Sequence, residues 1–167
     1  AEMKKPEPCD MLKLRWPQSW GGAPVSVAES ALAKGLAEDE LEALQSHLHA
    51  LDAAPGALFF KRGDPGTALY VIASGLVEIR IGHDARTCKR LAALGPGGMF
   101  GEIALLTGGA RSADAVCVQP TRLYELTRAA VDRLAAERPV LYGKLMANIT
   151  LHLSSRLVAL TDVVEAQ

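Results

Sequence analysis

Apolar positions along the chain fall into three regimes. From Ser30 to Leu51, Leu32, Leu36, Leu41, Leu44 and Leu48 recur at helical spacing until Pro55-Gly56 stops the pattern, which predicts an amphipathic helical entry. Between Ala57 and Leu126 the runs become short, either alternating or wholly apolar, and are cut by Gly63-Asp64-Pro65-Gly66, Gly75, Gly82 and Gly95-Pro96-Gly97-Gly98. Six strands are predicted there, over 57–60, 68–73, 76–81, 87–94, 113–118 and 121–126. Leu76, Glu78 and Arg80 alternate with Val77, Ile79 and Ile81, which puts the charged pair on one face of its strand. After Thr127 the helical period returns through Val131 and Leu134. Past Pro139 it continues through Leu141, Leu145, Ile149, Leu153, Leu157, Leu160 and Val164 in steps of three and four.

Short strands with closely spaced turns, between helical segments, specify an α+β fold: a small antiparallel β-barrel or jelly roll flanked by N-terminal and C-terminal helices. Residues 31–167 form one domain in this reading, with the barrel over about 57–126 and the terminal helices over about 127–164. Residues 1–30 carry Pro6, Pro8, Pro17, Pro24 and Gly21-Gly22 without periodicity and read as an extended leader or linker, from which Trp16 and Trp20 could dock on the body. The long terminal stripe needs a partner surface. Packing on the chain's own barrel and pairing of its outer half with a second copy are equally open.

Composition narrows the function. Eighteen Lys and Arg against nineteen Asp and Glu leave a formal charge of -1, without general attraction to nucleic acid or anionic lipid. Cys9, Cys88 and Cys117 are widely spaced and include no CxxC pair, so they read as reduced thiols in a cytoplasmic compartment. No apolar run approaches the roughly 20 residues of a membrane span, and Ala1 to Asp10 is too charged for a signal peptide. His47 and His49, two apart on the predicted helix, point in different directions; His83 falls in a turn and His152 on the terminal helix, so no metal site is expected. No serine or cysteine sits in a nucleophile elbow, and no lysine follows the glycines as a P-loop requires. Gly95 to Gly101 misses the dinucleotide spacing by one place. No catalysis is expected.

One segment does carry chemistry: Gly97-Gly98-Met99-Phe100-Gly101-Glu102-Ile103-Ala104-Leu105-Leu106, then Thr107 to Ala110, then Arg111-Ser112-Ala113. Glycines leading into a short helix expose unpaired backbone NH groups that can receive an anion. Arg111 could add a bidentate guanidinium, and Ser112 a hydroxyl. Glu102 beside a phosphate would repel it unless the ligand also brought a hydroxyl for the carboxylate to accept. A ribose 2′-hydroxyl meets that need, and Ala104 and the glycines leave room for a nucleotide.

These residues resemble the phosphate-binding cassette of the cyclic-nucleotide-binding domain family, F-G-E-[IL]-A-L followed by R-[ST]-A. Phe60, Gly63, Asp64, Ala68, Leu69, Tyr70, Ile72 and Gly75 look like that family's barrel signature, and the resemblance covers about Leu32 to Val164. It implies a cupin-like double-stranded β-helix. In it Glu102 holds the 2′-hydroxyl, Arg111 and Ser112 the cyclic phosphate, the backbone of Gly101, Ile103 and Ala104 the cradle, with Ala113 completing the motif. Ile79 and Leu91 would form the apolar wall. The final helix is implied to act as a lid or hinge reporting occupancy to an attached or partner protein. Ser112 resembles the bacterial transcription-factor branch, which favours cAMP over cGMP as ligand; no cofactor is implied. A DNA-reading helix-turn-helix would have to follow the terminal helix, and the sequence given ends at Gln167, so DNA binding by this chain is not expected. The region 58–114 and the later Ala-Asn-Ile-Thr-Leu-His-Leu-Ser-Ser-Arg-Leu are similar to C-terminal domains of bacterial sulfate-transporter-like proteins and glutaminases. That similarity implies a segment of a longer parent, at the cytoplasmic face of the membrane if the parent is a transporter. The alternatives are a free-standing protein and a ligand-free interaction domain of the same fold.

Overall fold

A computed structural model describes residues 24–82 and 86–166. The proline-bearing leader up to residue 23, with Trp16 and Trp20, and the His83-Asp84 turn lie outside the described residues. Among the described residues, eight antiparallel strands form two four-stranded sheets: β1 (His49–Ala53), β8 (Thr121–Thr127), β3 (Ala68–Ser74) and β6 (Met99–Phe100) in one, β2 (Leu58–Phe60), β7 (Asp114–Cys117), β4 (Val77–Ile81) and β5 (Lys89–Leu94) in the other. This is the jelly roll that the turn spacing predicts. Helices α1 (Glu38–Gln45), α3 (Arg128–Glu137) and α4 (Pro139–Glu165) flank it, and the short α2 (Glu102–Thr107) lies between β6 and β7.

Two apolar cores result, and β3 separates them. Leu69 and Val71 face one way, into a core built with Leu44, Leu126, Leu134, Leu141, Leu145 and Ile149. Ile72 and Tyr70 face the other way, into the barrel interior with Val77, Ile79, Phe100, Ala115 and Leu123. A strand buried on both faces needs an unbroken apolar run, and Ala-Leu-Tyr-Val-Ile-Ala is one. On β4, Val77 and Ile79 point into the barrel, while Glu78 and Arg80 share the outer face, where Glu78 Oε2 accepts from Arg80 Nε at 2.7 Å and Oε1 from Arg90 Nη1 at 3.0 Å.

The helical entry over 30–51 is corrected. Its leucines are buried or half-buried against the first core as the spacing requires, but a 3₁₀ turn (Val27–Glu29) precedes the segment, and the backbone then runs through a second (Ala31–Ala33) and breaks at Gly35, φ 77°. Only Glu38–Gln45 is α-helical. From His49 the chain is already β1, paired with β8. At the other end the helix divides at Arg138 (φ -134°, ψ 65°), because a residue before proline is pushed out of the helical region. Thr127 caps α3, its hydroxyl accepting from Ala130 N at 3.2 Å. The α4 stripe changes character halfway: Leu141, Leu145 and Ile149 are buried, Leu157, Leu160 and Val164 exposed. No helix among the described residues is long and apolar enough to cross a membrane.

Cys117 is a buried free thiol, whereas Cys88 is disulfide-bonded. This corrects the reading of all three cysteines as reduced. Spacing along the chain carries no information about which thiols folding brings together.

Candidate functional site

The site is built where β6 ends. Phe100 is buried in the barrel, and the chain then turns through Gly101 at φ 83° into α2. Glycine is required at that turn twice over: the left-handed backbone disfavours a side chain, and a Cβ would stand 2.7 Å from Arg111 Nη1 and 3.0 Å from Ala68 O. Gly108, also left-handed at φ 69°, ends α2 by donating its NH to Ala104 O at 2.9 Å.

The following loop returns Arg111 to the cradle. Arg111 N donates to Asp64 O at 2.8 Å, and Gly63 N donates to Arg111 O at 2.9 Å, so the β2–β3 turn fixes the backbone of this residue. Its side chain is buried, donates from Nη1 to Gly101 O at 2.8 Å, and lies 4.0 Å from the centroid of the Phe60 ring. No carboxylate among the described residues forms an ion pair with it, and its Nε is buried without a hydrogen-bond partner. Burial works against the guanidinium charge and lowers its pKa; Tyr70 and the carboxylates of Asp64, Glu102 and Glu125 act in the opposite direction from longer range. A buried cation with an unused donor is costly unless an anion arrives to meet it.

Glu102 opens α2 and is 1% exposed. Its Oε1 accepts from Arg156 Nη1 of α4 at 2.8 Å. One turn earlier on α4, His152 is half-buried and its Nε2 lies 3.2 Å from Met99 O. Burial lowers the His152 pKa, opposed by the charge of Glu102 and reinforced by that of Arg156.

Glu102, Arg111 and Arg156 line a cleft of ≈ 340 Å³, open mouth included, together with Phe60, Ile79, Phe100, Gly101, Ile103, Ala104, Ser112 and Ala113. Eight of the nine residues singled out from the sequence, all except Leu91, therefore converge on one cavity. Leu91 does not line it and is largely exposed. A register irregularity opposite Ile79 and Arg80 shifts the alternation of β5, so that Ala92 and Leu94 pack toward the barrel interior. Phe60, Phe100 and Arg156 are lining residues that the sequence reading did not assign. Arg156 had a signal: it is the only charged residue between Lys144 and Asp162. No cluster of three or more potential metal ligands occurs among the described residues.

The family model for the cyclic nucleotide-binding domain matches residues 51–138. The chain belongs to the cyclic-nucleotide-binding domain family. Across 99 residues it is 42% identical to the cyclic AMP receptor protein of Thermus thermophilus, which covers 59% of this chain and 46% of that protein. Across 135 residues it is 33% identical to glutaminase 2 of Bradyrhizobium diazoefficiens, covering 81% of this chain and 21% of the enzyme. The crystal structure of a cyclic nucleotide-binding domain from Methylobacillus flagellatus superimposes with a TM-score of 0.74 at 27% identity, over 78% of this chain and 74% of that one. The chain thus spans about half the length of the receptor and a fifth of the glutaminase. The regulatory domain is common to them; what accompanies it differs.

Proposed function

We propose that this domain is a non-catalytic sensor that binds cAMP in the Arg111 cleft and reports occupancy through α4. The observation that carries the reading is the buried Arg111 guanidinium, which has an unused donor and no ion-pair partner among the described residues. The cyclic phosphate would meet it, with the Ser112 hydroxyl and the NH groups of Gly101, Ile103 and Ala104 completing the cradle. Glu102, bonded on one oxygen to Arg156, would accept the ribose 2′-hydroxyl, and Ile79 and Ala113 would face the sugar.

The relative named for cyclic AMP, and a cAMP-dependent protein kinase regulatory subunit of Dictyostelium discoideum 31% identical over 90 residues, support cAMP over cGMP. Occupancy would be passed on because Arg156 links the carboxylate that takes the sugar to the helix leaving the barrel. A ligand shifts that helix only by its difference in affinity for the two helix positions. The exposed outer half of α4 would pair with a second copy, and the likeness to part of a glutaminase supports a domain attached to an enzyme or transporter on the cytoplasmic side.

Isothermal titration with cAMP and cGMP tests the reading. Wild type is expected to bind cAMP more tightly than cGMP, and Arg111→Ala to lose about 2–5 kcal/mol for cAMP. Absence of binding by either nucleotide at millimolar concentration, in folded wild-type protein, sinks it.

A further inference from the structure

The carboxylates that act on Arg111 from longer range, Asp64, Glu102 and Glu125, are each turned to another donor. Asp64 Oδ2 accepts from Lys61 N at 2.9 Å, Glu102 Oε1 accepts from Arg156 Nη1 at 2.8 Å, and the Glu125 carboxylate faces the Tyr70 hydroxyl. Burial, with Glu125 adding to it, pushes the pKa of that phenol up, so the ring stays neutral. Apart from the Gly101 carbonyl, what lies against the guanidinium is aromatic. Its carbon is 4.0 Å from the centroid of the Phe60 ring and 5.9 Å from that of Tyr70.

A strand irregularity puts Phe60 there. Leu58 pairs with Val116 and Phe60 with Ala115, so two steps along β2 match one step along β7. In a regular strand Leu58 and Phe60 would share a face. Here Leu58 is exposed, whereas Phe60 packs on the barrel interior together with its neighbour Phe59. Irregularities of this kind re-aim a side chain, and this one turns a second phenylalanine toward the place where Arg111 is buried. The rings brace one another: Phe60 stands 6.2 Å from Tyr70 and 5.9 Å from Phe100, and Tyr70 stacks on Phe100 at 5.1 Å.

We propose that Phe60 is the positioning residue for Arg111, its π face holding the guanidinium in place for an anion without neutralising it. The proposal rests on the reading of the cleft as the nucleotide site. A carboxylate in that position would have to be displaced before a phosphate could bind. A ring attracts the cation through its quadrupole, brings no net charge, and stays when the anion arrives. Tyr70 lends a second, more distant face.

The test replaces Phe60 in the full chain by mono-, tri- and pentafluorophenylalanine, which drain the π face while nearly keeping its shape, and by Leu and Tyr. In isothermal titration cAMP affinity should fall stepwise along the fluorinated series. Phe60→Leu should lose about 5–30-fold and Phe60→Tyr, which keeps a π face, should restore binding. A packing role alone leaves the fluorinated series flat. The ligand-free protein gives a separate reading by NMR: the Arg111 Nε proton, identified by its loss in Arg111→Lys, should resonate upfield of the other arginines and move back in Phe60→Leu. A flat fluorinated series in protein that binds cAMP, or an Arg111 resonance unmoved by loss of the ring, overturns the proposal. If folded wild type binds no cAMP, the sensor reading fails and the resonance alone decides the place of Phe60.

Discussion

Arg156 Nη1 donates to Glu102 Oε1 at 2.8 Å, so the second half of α4 is fastened to the first residue of α2 in the cassette. Glu102 is buried and Arg156 partly exposed, an asymmetry that makes the carboxylate the expensive partner to strand. In a double-mutant cycle of Glu102→Gln and Arg156→Gln, urea unfolding should give a coupling of about 0.5–3 kcal/mol. On the proposed reading, Glu102→Gln also removes the preference of the cleft for cAMP over 2′-deoxy-cAMP. Additive unfolding energies would mean that the two side chains do not hold the helix together.

Gly101→Ala puts a methyl group against Arg111 Nη1 and the Ala68 carbonyl while keeping the backbone left-handed. The strain costs about 1–3 kcal/mol. Because the methyl displaces the guanidinium, nucleotide affinity should fall further than stability. Thermal melting and titration on one sample separate the two losses, and unchanged affinity would place the ligand elsewhere.

The pH dependence of folding should carry the signature of His152. In the folded protein burial holds its pKa below the ordinary imidazole value, with Glu102 raising it and Arg156 lowering it. The unfolded chain therefore takes the proton first. Stability is whole above about pH 6.5 and falls as the pH drops below that value toward the depressed folded pKa. Melting temperatures at pH 7.5 and 5.5 should converge in His152→Gln relative to wild type. An equal fall in both proteins would assign the acid sensitivity to other groups.

The outer half of α4 exposes Leu157, Val158, Leu160 and Val164. Light scattering after gel filtration should find a dimer in wild type and a monomer in Leu157→Glu, with monomer stability changed by less than about 0.5 kcal/mol because the site is exposed. A monomeric wild type at high micromolar concentration would leave this surface to a different protein.

How far the sequence could be read depended on how local each signal was. The cassette is contiguous, so its spacing already placed Glu102 and Arg111 together. The strands of the barrel announced themselves through glycines at their ends. β1 was hidden because His49 to Ala53 follows a helical leucine pattern, and it is a strand only by pairing with β8, 70 residues away. Leu91 was placed by the resemblance alone, and the register irregularity that β5 takes from its pairing with β4 is not something a resemblance carries. Arg156 entered the site from 54 residues downstream, a distance over which helical periodicity says only which face is apolar.

β3 is the strand shared by both cores. In a building it would be a party wall: Tyr70 and Ile72 furnish the room that opens on the cleft, Leu69 and Val71 the room where α4 is seated. Neither room can be refitted without shifting the same wall, since close packing transmits a change of even one methylene. A substitution on the helix side of β3 should therefore be audible in the cleft.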